Sequence, residues 1–179
     1  KTWPTSYGGR GGTYSAEGNK EIANNKAFIW EMCKKMGVSY RTYGEFADNF
    51  KANIPVLKDH VCPYYTGWNE SVMDTVRFGQ WRREFDSLLL ANAVPRFNTV
   101  RMINDHTEGL RPNRPTPFAH VADNDLAVGL FVEHLSKSSI WNESVVFIVE
   151  DDAQNGPDHV DAHRTTAYVA GGLVKRGYV

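Results

Sequence analysis

The chain has 179 residues, 41% hydrophobic and 23% charged, which is the make-up of an ordinary globular unit able to bury a core. Twenty Lys and Arg face twenty-one Asp and Glu, a formal charge of -1, so no overall field recommends nucleic acid or an anionic surface as partner. No apolar run approaches the roughly 20 residues of a membrane-spanning helix, Lys1-Thr2-Trp3-Pro4 is unlike a signal peptide, and the two cysteines, Cys33 and Cys62, are spaced for a single disulfide or two buried thiols rather than a thiolate zinc site.

Residues 1–23, with Gly8-Gly9-Arg10-Gly11-Gly12 and few aliphatic side chains, read as an irregular Gly-rich start, and a domain that opens this way is expected to have lost its beginning. From 24 to 36, Ala27, Phe28, Met32 and Met36 recur at helical spacing and Gly37 follows as a C-cap, with a strand over 38–43. Residues 48–73, holding Pro55, Pro63 and Gly67, keep no period and form an irregular excursion whose Tyr64, Tyr65 and Trp68 belong to core packing or a pocket wall. Asp74 is placed to cap a helix carrying Val76, Trp81, Phe85, Leu88 and Leu89, which Pro95 ends. A strand over 97–103, an amphipathic helix over 116–135, a strand over 145–149 of the kind buried on both faces of a parallel sheet, and a last strand over 166–170 complete the order. The fold class expected is α/β, a mostly parallel sheet sandwiched between helices, and such sheets bind ligands outside the carboxyl ends of their strands.

Chemistry is therefore expected just after Ile103 and Val149. Glu150-Asp151-Asp152 leads to Asp158, His159, Asp161 and His163, a concentration of carboxylates whose mutual repulsion a divalent cation would relieve. Mixed carboxylate and imidazole donors suit zinc first, then manganese or iron, with calcium at a carboxylate-only subsite. A solvated acidic loop is the bland alternative. An EF-hand is excluded, because a loop opening at Asp151 would need oxygen ligands where Ala153 and Ala162 stand. His159 and His163 have helical spacing but no HExxH glutamate. The second constellation is Asn104-Asp105-His106-Thr107, and a capping Asp beside a surface His is its bland alternative; His60, His120 and His134 read as structural or solvated.

The run Val121-Ala122-Asp123-Asn124-Asp125-Leu126-Ala127-Val128-Gly129, continuing through Val145-Val146-Phe147-Ile148-Val149 to Asp151-Asp152, resembles a unit of the alkaline-phosphatase superfamily in which a helix precedes a strand that delivers two metal ligands. The run from His163 to Gly177 resembles its last metal-binding histidine, strand and turn. Glu150-Asp151-Asp152 through Asp158-His159-Val160, with Asn104-Asp105-His106-Thr107, is similar to the branch of acid phosphatases and phospholipases C, and to the bacterial phosphoesterase domain that often follows a β-propeller. The resemblance is densest over 97–177, the expected metal-binding portion of a partial domain spanning 1–179.

The resemblance implies divalent metal ions held by Asp151 and Asp152 at one subsite and by Asp105, His106 and His163 at another, with His106 and His159 facing the phosphoryl group. It implies hydrolysis of phosphate mono- or diesters in a periplasmic or secreted protein. Thr13 and Ser15 lack the strand–helix context of the superfamily's nucleophile, so the nucleophile is expected outside this chain, and self-association or a missing N-terminal segment is expected to complete the sheet. Sulfatase or phosphomutase chemistry on the same scaffold, and a noncatalytic module with a structural cation, are the other readings.

Overall fold

The computed structural model describes residues 28–150 and 165–178, and over them the chain is mixed α/β. Helix α1 (Ile29–Lys35) carries Glu31 in its first turn and Lys34 and Lys35 in its last, charges that suit the helix dipole. Glu31 also accepts the Phe28 amide at 2.6 Å. Gly37 at φ +67° lets the Val38 amide reach the Cys33 carbonyl at 2.8 Å and its own amide reach Lys34, so the expected C-cap is a Schellman turn.

Strand β1 (Tyr40–Tyr43) follows at once and pairs in parallel with β4 (Phe97–Val100), Tyr40 opposite Phe97 and Tyr43 opposite Val100. On its other edge Thr42 makes a single parallel bridge to Val61. Because successive strand side chains alternate, β1 serves two sets of neighbours. Tyr40 joins Trp30 and Cys33 of α1, with Phe46, Ile54 and Leu57, in one apolar cluster. Arg41 points the opposite way and meets Glu84 of α2 (Asp74–Leu90) through both its Nε, at 3.0 Å, and its Nη2. Cys33 and Cys62 are free and buried, and burial pushes the Cys62 thiol up to about 11, so it is protonated at neutral pH and a poor nucleophile.

The stretch between β1 and α2 has more structure than its lack of period suggested: β2 (Ala47–Asp48) and β3 (Lys51–Ala52) form a small antiparallel pair, and Pro55–Leu57 is a 3-10 turn. Each is too short to show a repeat in sequence.

Helix α2 corrects one expectation. Asp74 is not the cap but the first helical residue, and its buried carboxylate turns inward; the capping carboxylate is Asp123, on helix α3 (Pro117–Ser136), which accepts the Asp74 amide at 2.6 Å and the Thr75 hydroxyl at 2.7 Å. A cap supplied by another helix leaves no local signature. The far end of α2 closes as α1 does, with Asn92 at φ +50° and the Ala93 amide bonded to Leu88 at 2.8 Å.

The chain divides into two units at Val128/Gly129, within α3. In the second, β5 (Val146–Val149) pairs with β6 (Ala167–Ala170) antiparallel, and Phe147 and Val149 are exposed. This overturns the expectation that 145–149 is a parallel strand buried on both faces. An apolar run alone does not choose between the two pairings, and consecutive strands can pair antiparallel through a loop without a helical crossover. Gly171, at φ +146°, fits where a Cβ would fall 2.1 Å from the Ser144 carbonyl oxygen, so the turn after β6 requires glycine.

Candidate functional site

The carboxyl end of the β1–β4 pair is built from three chain segments. After β1 come Gly44 and Glu45, after β4 comes Arg101, and between them lies the 66–72 loop that precedes α2. The Arg101 amide continues the ladder to the Tyr43 carbonyl at 2.9 Å, and its own carbonyl accepts the Tyr65 hydroxyl at 2.7 Å. Its guanidinium lies 4.8 Å above the Trp68 ring and 3.5 Å from Glu45, so an aromatic face, a cation and a carboxylate share this edge.

Next, Asn104–His106 forms a 3-10 turn. A polar network centred on the buried Asp74, Arg77 and Asn104 fixes it. The Asp74 carboxylate accepts the Ile103 amide at 3.1 Å, the Asn104 amide at 2.8 Å and the Asn124 side-chain amide at 2.9 Å. Asn104 donates its own side-chain amide to Asp123 at 3.1 Å. Arg77, as buried as Asp74, meets that carboxylate at 3.0 Å. Its remaining N–H groups go to the carbonyls of Thr66, Gly67, Asn69 and Val72, at 2.5 to 3.1 Å. One arginine thus secures both the turn that carries Asp105 and His106 and the loop that carries Trp68 and Glu70.

At the surface of this framework His106 is exposed, with its Nδ1 2.7 Å from Glu70 Oε1 and 3.0 Å from the Thr107 carbonyl oxygen. Trp68 packs edge to face with the imidazole, centroids 4.9 Å apart. Thr107 itself sits at φ +58°, ψ +165°, a region in which a β-branched residue is strained by about 1–3 kcal/mol. Thr107→Gly is therefore expected to raise the unfolding free energy by about 1 kcal/mol in urea denaturation, the relief being offset in part by glycine's greater backbone entropy. A fall in stability would show that the Thr107 hydroxyl, which accepts the Gly109 amide at 3.3 Å, outweighs the strain.

Of the residues singled out in the sequence, Asp105 and His106 stand at this edge, Asp105 half-buried. Asp151, Asp152, Asp158, His159, Asp161 and His163 lie outside the described residues. The β5–β6 ladder continues to Glu150, whose amide donates to the Thr166 carbonyl at 3.3 Å, so the described residues flanking 151–164 meet at one end of that pair. Among the described residues no group of three His, Cys, Asp or Glu side chains converges to hold an ion. His60 is structural, stacked on Tyr40 and with its Nδ1 3.1 Å from that residue's carbonyl, and His120 is buried on α3. Tyr65 is core, while Trp68 belongs to the site.

Glu70, Arg101 and Arg77 escaped the sequence reading. One signal was present: Asp74, Arg77 and Glu84 fall on the same arc of α2 as Phe78, Trp81 and Phe85, and all six are buried. Charges interleaved on an apolar face announce a buried polar network.

The chain matches no family model, no curated protein and no solved structure.

Proposed function

We propose that the chain is the metal-binding part of a phosphoesterase that hydrolyses phosphate mono- or diesters, with the nucleophile supplied by sequence outside it. The observation that carries this reading is the placement of Asn104–His106: a buried network fixes the turn at the carboxyl end of parallel strands, and it leaves the imidazole exposed. Ligands of parallel sheets collect at that end. The order of the separated motifs, Asn104-Asp105-His106-Thr107 before Glu150-Asp151-Asp152 and His163, supports the same assignment. The full sheet is proposed to be mostly parallel and sandwiched between helices. In support, β1 has parallel neighbours on both edges, Tyr40 packs with α1, and Arg41 on the opposite side binds α2.

The donors fit a divalent ion in one respect. A histidine ligand characteristically gives its second nitrogen to a carboxylate, and His106 meets Glu70 in that way. Asp105 and His106 would be ligands at this edge, zinc being the best match to a mixed carboxylate and imidazole donor set. Bound there, the ion would neutralise nonbridging phosphoryl oxygens and lower the pKa of an oxygen nucleophile. Arg101 and Trp68, on the same edge, are suited to contacting the ester's leaving group.

Metal analysis of the full-length protein, with hydrolysis of p-nitrophenyl phosphate and bis-p-nitrophenyl phosphate before and after chelation, tests the reading. Stoichiometric metal and turnover that chelation abolishes and zinc restores are expected. A metal-free protein inert toward both esters would sink it.

A further inference from the structure

We propose that Glu70 is a positioning residue: it fixes His106 in the Nδ1–H tautomer, so that Nε2 carries the ring's lone pair at the carboxyl end of β1 and β4. Two acceptors surround the same nitrogen, Glu70 Oε1 at 2.7 Å and the Thr107 carbonyl oxygen at 3.0 Å. Neither has a proton to give, so Nδ1 must hold it, and the neutral ring is left with Nε2 as its electron-pair donor. Free neutral histidine favours the opposite tautomer, so the preference belongs to the site.

Glu70 is itself held in place. It lies in the loop whose carbonyls at Gly67, Asn69 and Val72 bind the buried Arg77, and its side chain is only 21% exposed against 60% for His106. The carboxylate is thus the fixed partner and the imidazole the presented one. Trp68, edge to face with the ring at 80°, restricts its rotation. The strained Thr107 backbone turns the second acceptor back onto the imidazole it follows. An Nε2 prepared in this way suits a divalent cation of the zinc class, and here alone the inference rests on the functional reading above.

The test uses full-length protein with 15N-labelled histidine, the His106 signals being assigned by their loss in His106→Gln. Long-range 1H–15N spectra at neutral pH are expected to show the Nδ1–H tautomer in the parent. Glu70→Ala should move the ring toward Nε2–H, while Glu70→Gln, whose amide oxygen still accepts, should retain the parent tautomer. In calorimetric titrations with Zn2+, Glu70→Ala should bind about 10- to 100-fold more weakly, with Glu70→Gln closer to the parent. A Glu70→Ala protein with parental tautomer and parental zinc affinity overturns the inference and leaves the metal-site reading standing. A tautomer that responds to Glu70→Ala in a protein that binds no zinc upholds the positioning role and removes the metal-site reading instead.

Discussion

Arg77→Met is expected to lower the unfolding free energy by about 3–5 kcal/mol, the range found when one member of a buried ion pair is removed. Arg77 and Asp74 are both fully buried, 3.0 Å apart. Methionine fills similar volume but leaves the buried Asp74 carboxylate without its countercharge and takes one donor from each of four carbonyls, those of Thr66, Gly67, Asn69 and Val72. For a chain of this size the loss corresponds to a fall in Tm on the order of 10 °C. Arg77→Lys should fall between, because an ammonium keeps the charge but offers three donors without the planar fork. Urea denaturation of all three proteins measures the effect, and a midpoint for Arg77→Met within error of the parent would show that the network contributes little. The same substitution should reach the site, since the freed loop carries Trp68 and Glu70.

The network also explains what the sequence could and could not disclose. Helices α1 and α3 and strands β1 and β4 were legible because periodicity and the Gly37 stop are local signals. So was the edge at which Asp105 and His106 would appear, because strand ends in a parallel pair fix it. The partners were not legible. Glu70 comes from 36 residues before His106, out of a loop with no repeat, and nothing local marks it as that histidine's acceptor. Asp123 caps a helix that begins 49 residues earlier. In both cases a short polar side chain is satisfied by a distant segment, and sequence spacing carries no trace of such a bond. The pairing of β5 was misread for a related reason: five apolar residues in a row fit a strand in either direction, and the exposure of Phe147 and Val149 is a property of placement rather than of composition.

Under the proposed phosphoesterase function, His106→Ala in the full-length protein is expected to behave in the opposite manner to Arg77→Met, leaving stability nearly untouched while cutting kcat/KM for phosphate esters about 10²- to 10⁴-fold. The imidazole is exposed, so its removal forfeits one contact with Trp68 and one hydrogen bond to Glu70 while leaving the network of Asp74, Arg77, Asn104 and Asp123 intact. Surface changes of this kind usually shift stability by no more than about 0.5 kcal/mol. The pair of variants separates scaffold from chemistry, because a loss that comes from unfolding follows the denaturation midpoint and a loss that comes from a missing ligand does not. If His106→Ala retains more than half of the parental turnover at unchanged Tm, the exposed imidazole takes no part in the reaction, and the carboxyl end of β1 and β4 loses its claim to be the active edge.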